Sequence, residues 1–159
     1  MATKITEFDH SVLAVNDLIT AQLFYGEVLG EIVGKVEVGH ASMLATEQLE
    51  RAVRLQRFFL ERDGAPHVSA PHAAVTVGEA QIPLFIHREH VQEPPPELLR
   101  GAPRLAITVT PEQVDKAVDV FTRRKVAFED VRHPDHSPIA RSLYFKDPSS
   151  NFLELCCER

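Results

Sequence analysis

The chain carries an internal repeat. His10-Ser11-Val12-Leu13-Ala14-Val15 aligns with Arg104-Leu105-Ala106-Ile107-Thr108-Val109. A helix-patterned segment follows each copy, bearing Leu18 and Tyr25 in the first and Val114 and Phe121 in the second, at the same internal spacing. Each half then closes in three strand-like segments. Repeated units usually bury their apolar faces together. The order strand, helix, three strands, read twice, therefore predicts an α+β fold of two βαβββ modules whose mixed sheet forms a cup. The first module is expected over 1–92 and the second over 104–159, with a Pro-rich linker at 93–103 between them. Three consecutive prolines, Pro94 to Pro96, favour a stiff extended segment there. A helix-like insert at about 46–62 is found in the first module only, with Glu47–Arg51 and Glu50–Arg54 as favourable i,i+4 pairs.

Local signals set the elements. Asn16 or Asp17 caps a helix expected from Leu18 to about Val28, with Leu29-Gly30 as its stop and a strand over Glu31 to Val38. Ala73 to Val77 and Gln81 to Ile86 read as a hairpin, where Pro83 predicts an unpaired edge or a bulge. Thr110-Pro111-Glu112-Gln113 is a capping box with Pro at the first helical position. Leu143-Tyr144-Phe145 and Phe152-Leu153-Glu154-Leu155 flank the turn Asp147-Pro148-Ser149-Ser150-Asn151. Alternation along the last strand puts Phe152, Glu154 and Cys156 on one face, and Leu153 and Leu155 on the other. A lone carboxylate in such a run is either solvated or holding a partner.

Charge and composition narrow the function classes. The net charge is −6 and the basic residues are scattered, so no stripe neutralises phosphates and nucleic acid is not an expected partner. No apolar run approaches the roughly 20 residues of a membrane helix, and the N-terminal residues lack a signal-peptide core. The two cysteines, Cys156 and Cys157, are sequence neighbours, which rarely bridge each other. These features predict a cytoplasmic protein.

Beyond the repeat, the chain resembles the vicinal oxygen chelate superfamily, which includes glyoxalase I, extradiol dioxygenases, fosfomycin-resistance enzymes and bleomycin-resistance proteins. The residues that carry the resemblance are Asp9-His10 with Leu13 and Val15, Asp17-Leu18, Phe24-Tyr25 with Leu29-Gly30, Tyr144 to Pro148, and Asn151 to Leu155. It covers nearly the whole chain outside the insert. It implies a glyoxalase- or dioxygenase-like enzyme in which a divalent metal (Zn, Fe, Mn or Ni) chelates neighbouring substrate oxygens as a Lewis acid. The reaction would be an isomerisation, an oxygen insertion or an epoxide opening, with no nucleotide cofactor. The alternative is a metal-free cup that sequesters a small drug or metabolite, as bleomycin-resistance proteins do. A homodimer is implied in either case.

By the resemblance, a metal-binding member takes a His from the first strand of one module and a Glu from the last strand. Those positions are His10 and Glu154, with Glu154 also the implied catalytic group. A further His is expected on the first strand of the other module, where this chain has Arg104. The repeat alignment puts Leu84 at the position matching Glu154. Three readings of Arg104 stay open. It pairs with Glu154 in a metal-free pocket, it holds an anionic substrate, or it points away while His72, His87 or another His completes a metal site. Tyr144 and Arg141 are expected to line the cavity as substrate-binding residues, against simple packing and solvation. Cys156 reads as apolar filler. The loop bearing His133 and His136 reads as a gate or as plain surface.

Overall fold

A computed structural model describes residues 11–34, 36–38, 72–77, 80–86 and 103–159. His10, the insert at 46–62, His87 and Pro94 to Pro96 of the linker lie outside the described residues. The first module runs β1 (Leu13–Val15), α1 (Leu18–Leu23), a π-wound continuation (Phe24–Leu29), α2 (Gly30–Val33), β2 (Val36–Val38), β3 (His72–Val77) and β4 (Ala80–Ile86). The second runs β5 (Leu105–Thr108), α3 (Pro111–Arg124), β6 (Phe128–Arg132), β7 (Ile139–Lys146) and β8 (Phe152–Glu158). The sheet orders are β1-β4-β3-β2 and β5-β8-β7-β6. First and last strands of each module pair in parallel, and the other neighbours are antiparallel. The repeat read in the sequence is thus a repeat of topology.

The caps behave as their residue types require. Asp17 accepts from Thr20 N at 2.6 Å. Thr110 accepts from Gln113 N, while the Gln113 side chain accepts from Thr110 N, which closes the capping box of α3. The predicted stop at Leu29-Gly30 is corrected: the helix winds on to Val33, and the strand expected from Glu31 shrinks to Val36–Val38. Ile32 continues the buried stripe of Tyr25 and Leu29, so burial favours helix there. The chain turns instead at Gly34, whose φ of +95° suits a residue without a side chain.

Pro83 sits in β4, opposite Ala74 of β3. On its other side the pairing with β1 begins only at Leu84, so among the described residues that edge of β4 is unpaired at Pro83, as its residue type leads one to expect.

One core joins the modules. Val114, Ala117 and Phe121 of α3 pack on Leu143, Phe145, Leu153 and Leu155, with the Phe121 and Phe145 rings 4.6 Å apart. Phe24 meets Phe145 from the first module at 6.3 Å. The β7–β8 turn then fastens the two halves. Tyr25 donates to the Asp147 carboxylate at 3.0 Å, Asn16 N donates to the Ser149 hydroxyl at 2.9 Å, and Asn151 Nδ2 donates to Ala14 O at 2.8 Å. Helix α2 adds an exposed cluster, with Glu31 held by Arg123 and Arg124 and its carboxyl pulled below the usual range by their hydrogen bonds. Such surface pairs contribute little to stability.

Burial first, and then the Asp147 charge, push the Tyr25 phenol well above its ordinary value. A pKa raised by folding gives stability that is complete below the unfolded value of about 10 and is lost as pH rises beyond it. Thermal melts between about pH 9 and pH 11.5 should therefore show a steeper fall in Tm for the wild type than for Tyr25→Phe. Parallel curves would show that this phenol does not drive the alkaline limb.

Candidate functional site

The register sorts the second sheet into two faces. Leu105, Ile107, Leu153, Leu155, Leu143 and Phe145 join the core or pack against it. On the opposite, cup face, Ala106 stands beside Glu154, Tyr144 opposite Glu154, Ser142 opposite Cys156 and Lys146 opposite Phe152. Arg104 precedes β5 by one residue and reaches the same place. Its Nε donates to Glu154 Oε2 at 2.7 Å, with side-chain exposures of 26% and 11%. The guanidinium carbon lies 4.9 Å from the centre of the Tyr144 ring. Of the three readings of Arg104, the pairing with Glu154 is the one present.

The second Glu154 oxygen is held as well. Ser142, fully buried, donates to Oε1 at 2.7 Å. His133 Nε2 lies 2.9 Å from the same Ser142 oxygen. The single hydroxyl proton goes to the carboxylate, so the network assigns the proton of that second bond to His133 Nε2. A directed chain results: His133 to Ser142 to Glu154, with Arg104 on the far side. Ser142 was not among the residues singled out from sequence. The signal for it was there, because the Asp147–Asn151 turn fixes the hairpin register and alternation from Tyr144 then places Ser142 on the Glu154 face.

Arg104, Tyr144 and His133 line a cavity of about 740 Å³, together with Phe152, Lys146 and Phe24 among others. Arg141 is not brought to it. Its guanidinium takes Asp130 at 2.7 and 2.6 Å and Asp115 of α3 at 2.6 Å, on the helix side of the sheet. Hydrogen bonding to Arg141 holds the Asp130 carboxyl below its usual range, and the same bonds raise the guanidinium pKa further. Cys156 is on the cup face, 3.8 Å from Ile107 O, and burial pushes its thiol up. It stays a thiol at neutral pH, which suits packing and not metal ligation.

The register corrects the match made to Glu154. With His10 aligned to Arg104, Leu13 matches Ile107. Leu13 pairs with Leu84 and Ile107 with Leu155, so Leu84 matches the core residue Leu155. The counterpart of Glu154 is Pro83, which has no ligating atom in its side chain either.

The comparisons with known proteins agree with this architecture. The sequence pattern of the Glyoxalase/Bleomycin resistance protein/Dioxygenase superfamily matches residues 7–155. The chain belongs to that superfamily. No curated protein sequence matches it. Among solved structures, superfamily folds align over nearly the full length. A virulence protein from Salmonella typhimurium is 19% identical with a TM-score of 0.59, covering 99% of this chain and 100% of the other. Lactoylglutathione lyase from Agrobacterium tumefaciens is 15% identical with a TM-score of 0.56, covering 98% and 96%. The fosfomycin resistance protein FosX from Listeria monocytogenes is 15% identical with a TM-score of 0.63, covering 98% and 95%, and that structure is a complex with Mn(II) and 1S,2S-dihydroxypropylphosphonic acid. At these identities the likeness speaks for the fold.

Superfamily membership raises the question of whether the residues of this cup fit a metal. Arg104 stands where the resemblance expects a His, and guanidinium does not ligate. Both Glu154 oxygens are engaged, one by a cation and one by a hydroxyl. Among the described residues no group of three His, Cys, Asp or Glu side chains is placed to hold a metal ion. A single engaged carboxylate falls short of the three protein ligands usual in an open catalytic zinc site. The described residues of this cup do not fit one.

Proposed function

We propose that this superfamily member takes up a small organic molecule in the second-module cup, with the Arg104–Glu154 pair in place of a metal as its polar centre. The observation that carries the reading is that Arg104, which lines the 740 Å³ cavity, is held from behind by Glu154, Nε to Oε2 at 2.7 Å. Cavities of that size suit drug-sized molecules. A buried carboxylate needs a cation, and Arg104 supplies it without any ion from solution. Tyr144 stacks on the guanidinium and, with Arg104, forms the binding wall.

The metal-dependent enzyme is the second reading. It is supported by FosX, whose solved complex holds Mn(II), and by His10 and Glu154, which occupy the positions the resemblance gives to ligands. Elemental analysis of protein purified without chelator separates the two. Well below one divalent metal per chain is expected. A stoichiometric metal that disappears in His10→Ala would overturn the metal-free reading and make the cup a Lewis-acid site.

The same reading includes a homodimer working in the cytoplasm. Cys156 and Cys157 are both free and buried, as suits a reducing compartment. No described helix is long and apolar enough to cross a membrane. Light scattering at micromolar concentration should return twice the 17.8 kDa chain mass, and a monomer mass would reject the dimer.

A further inference from the structure

We infer that the cup takes an uncharged, largely apolar ligand carrying one hydrogen-bond donor, a hydroxyl or an N–H, and that His133 accepts from it. This ligand class rests on the proposed cup and specifies what enters it. The charged groups of the wall are engaged before any ligand arrives. Arg104 is neutralised by Glu154 at 2.7 Å, with the Tyr144 ring centre 4.9 Å from its guanidinium carbon. Lys146 Nζ lies 5.0 Å from the centre of the Phe152 ring, and Arg104, Lys146 and Glu129 each have a further interaction. Arg132 is in register with Arg141 and belongs to the other face of the sheet.

A charged ligand would have to break one of these interactions or give up its hydration without gaining a counter-charge, and an unpaired buried charge is costly. An uncharged ligand meets neither cost. It also matches the rest of the lining, where Phe24, Val126, Phe128, Val131, Pro148 and Phe152 supply apolar surface. Sites of this kind hold a ligand by apolar contact and orient it by a small number of polar groups.

The orienting group has a defined sense. Ser142 donates to Glu154 Oε1, so His133 Nε2 donates to Ser142, at 2.9 Å. A neutral imidazole carries one proton. With that proton on Nε2, Nδ1 is a lone pair, and among the described residues no group donates to it. His133 lines the cavity. Its backbone is fixed from both sides: His133 N donates to Ala140 O at 2.9 Å, and Arg159 Nη2 donates to His133 O at 2.9 Å. The acceptor is therefore ordered in advance, and little side-chain freedom is lost when a ligand donates to it. A ligand acceptor in the same place would meet a lone pair and be repelled. The Tyr144 hydroxyl gives and accepts alike, so it imposes no sense of its own. Buried Ser142 is a positioning residue here, because it sets the His133 tautomer by giving its own proton to Glu154.

Isothermal titration calorimetry at about pH 8, above the range in which imidazoles usually titrate, tests this with three probes: 2-naphthol, its methyl ether 2-methoxynaphthalene, and the anion 2-naphthoate. 2-Naphthol should bind about fivefold more tightly than the ether, the scale of one neutral hydrogen bond, and 2-naphthoate should bind least. In His133→Phe the preference for 2-naphthol over the ether should vanish, with far-UV circular dichroism unchanged; a preference due to the bulk of the methyl group would survive. Ring 15N NMR of the wild type needs no variant to fold. It should show His133 protonated on Nε2, with an Nδ1 signal that moves on adding 2-naphthol and stays in place with the ether. In Ser142→Ala the tautomer should no longer be fixed. Equal binding of 2-naphthol and the ether, a preference that survives His133→Phe, tightest binding of 2-naphthoate, or a wild-type proton on Nδ1 would overturn the ligand class and leave the cup reading standing. If none of the three probes binds the wild type, both fall.

Discussion

Asp147→Ala should destabilise the protein by about 3–5 kcal/mol in urea unfolding, although Asp147 lies in a turn and touches no ligand. Its carboxylate accepts four hydrogen bonds: from Tyr25 Oη at 3.0 Å, Ser149 N at 2.8 Å, Asn151 N at 2.9 Å and Asn151 Nδ2 at 2.8 Å. The residue is 5% exposed, so water replaces little of this when the carboxylate is removed. Each buried donor left without an acceptor costs about 1–3 kcal/mol, and relaxation of the turn recovers part of the total. Tyr25 is the donor least able to relax, because its ring is fully buried between the modules. Asn151 also loses its anchor while it holds Ala14 O of the first module. The damage therefore spreads from a turn to the joint between halves. A loss of under about 1 kcal/mol would show that the aromatic and aliphatic core alone holds the modules together.

The turn illustrates which parts of this protein can be read in a sequence. Asp147-Pro148-Ser149-Ser150-Asn151 was legible as a turn because Asp bonds the backbone ahead of it, and Asp147 Oδ1 does accept from Ser149 N and Asn151 N. That the other oxygen of the same carboxylate takes a phenol 122 residues away was not legible. Periodicity reports which face a side chain is on, and gives no account of which distant element covers that face. The same limit governs the site. Glu154 stood out as a charge in an apolar run, and Arg104 as the departure from a family pattern, so their pairing was foreseeable. Arg141 was grouped with them by proximity in sequence to Tyr144, yet odd and even positions of a strand face opposite ways, and Arg141 went to Asp130 and Asp115. Strand parity already separated Arg141 from Tyr144. The end of α2 failed for a different reason. Gly30 was read as the stop, but the burial of Ile32 carries the helix past it to the turn at Gly34.

Arg104→Met should cost about 2–3 kcal/mol, and adding Glu154→Met should restore most of it. Removing the cation leaves the Glu154 carboxylate in an environment that is 11% open, with the Ser142 hydroxyl still donating to its other oxygen. A carboxylate stranded in a fully closed interior costs about 3–5 kcal/mol, and the 26% exposure of the departing Arg104 side chain lets some water reach the vacated oxygen, which lowers the figure. Replacing both members by apolar side chains removes the desolvation cost together with the attraction, and such swaps are often close to neutral. The cycle of two single variants and the double variant isolates the coupling between the two groups, expected at about 2 kcal/mol. A coupling near zero would mean that the pair is held apart by solvent in solution and that Glu154 draws its cation from elsewhere. The double variant matters beyond its stability. It keeps the fold, Tyr144 and the aromatic wall, and loses only the two charges at the centre. If that protein takes up small organic ligands no less well than the wild type, the charges serve the fold and the cup recognises its ligand by shape. If uptake is lost while stability returns, Arg104 and Glu154 are placed there for the ligand, and the stability they lend is the consequence of holding a binding group ready.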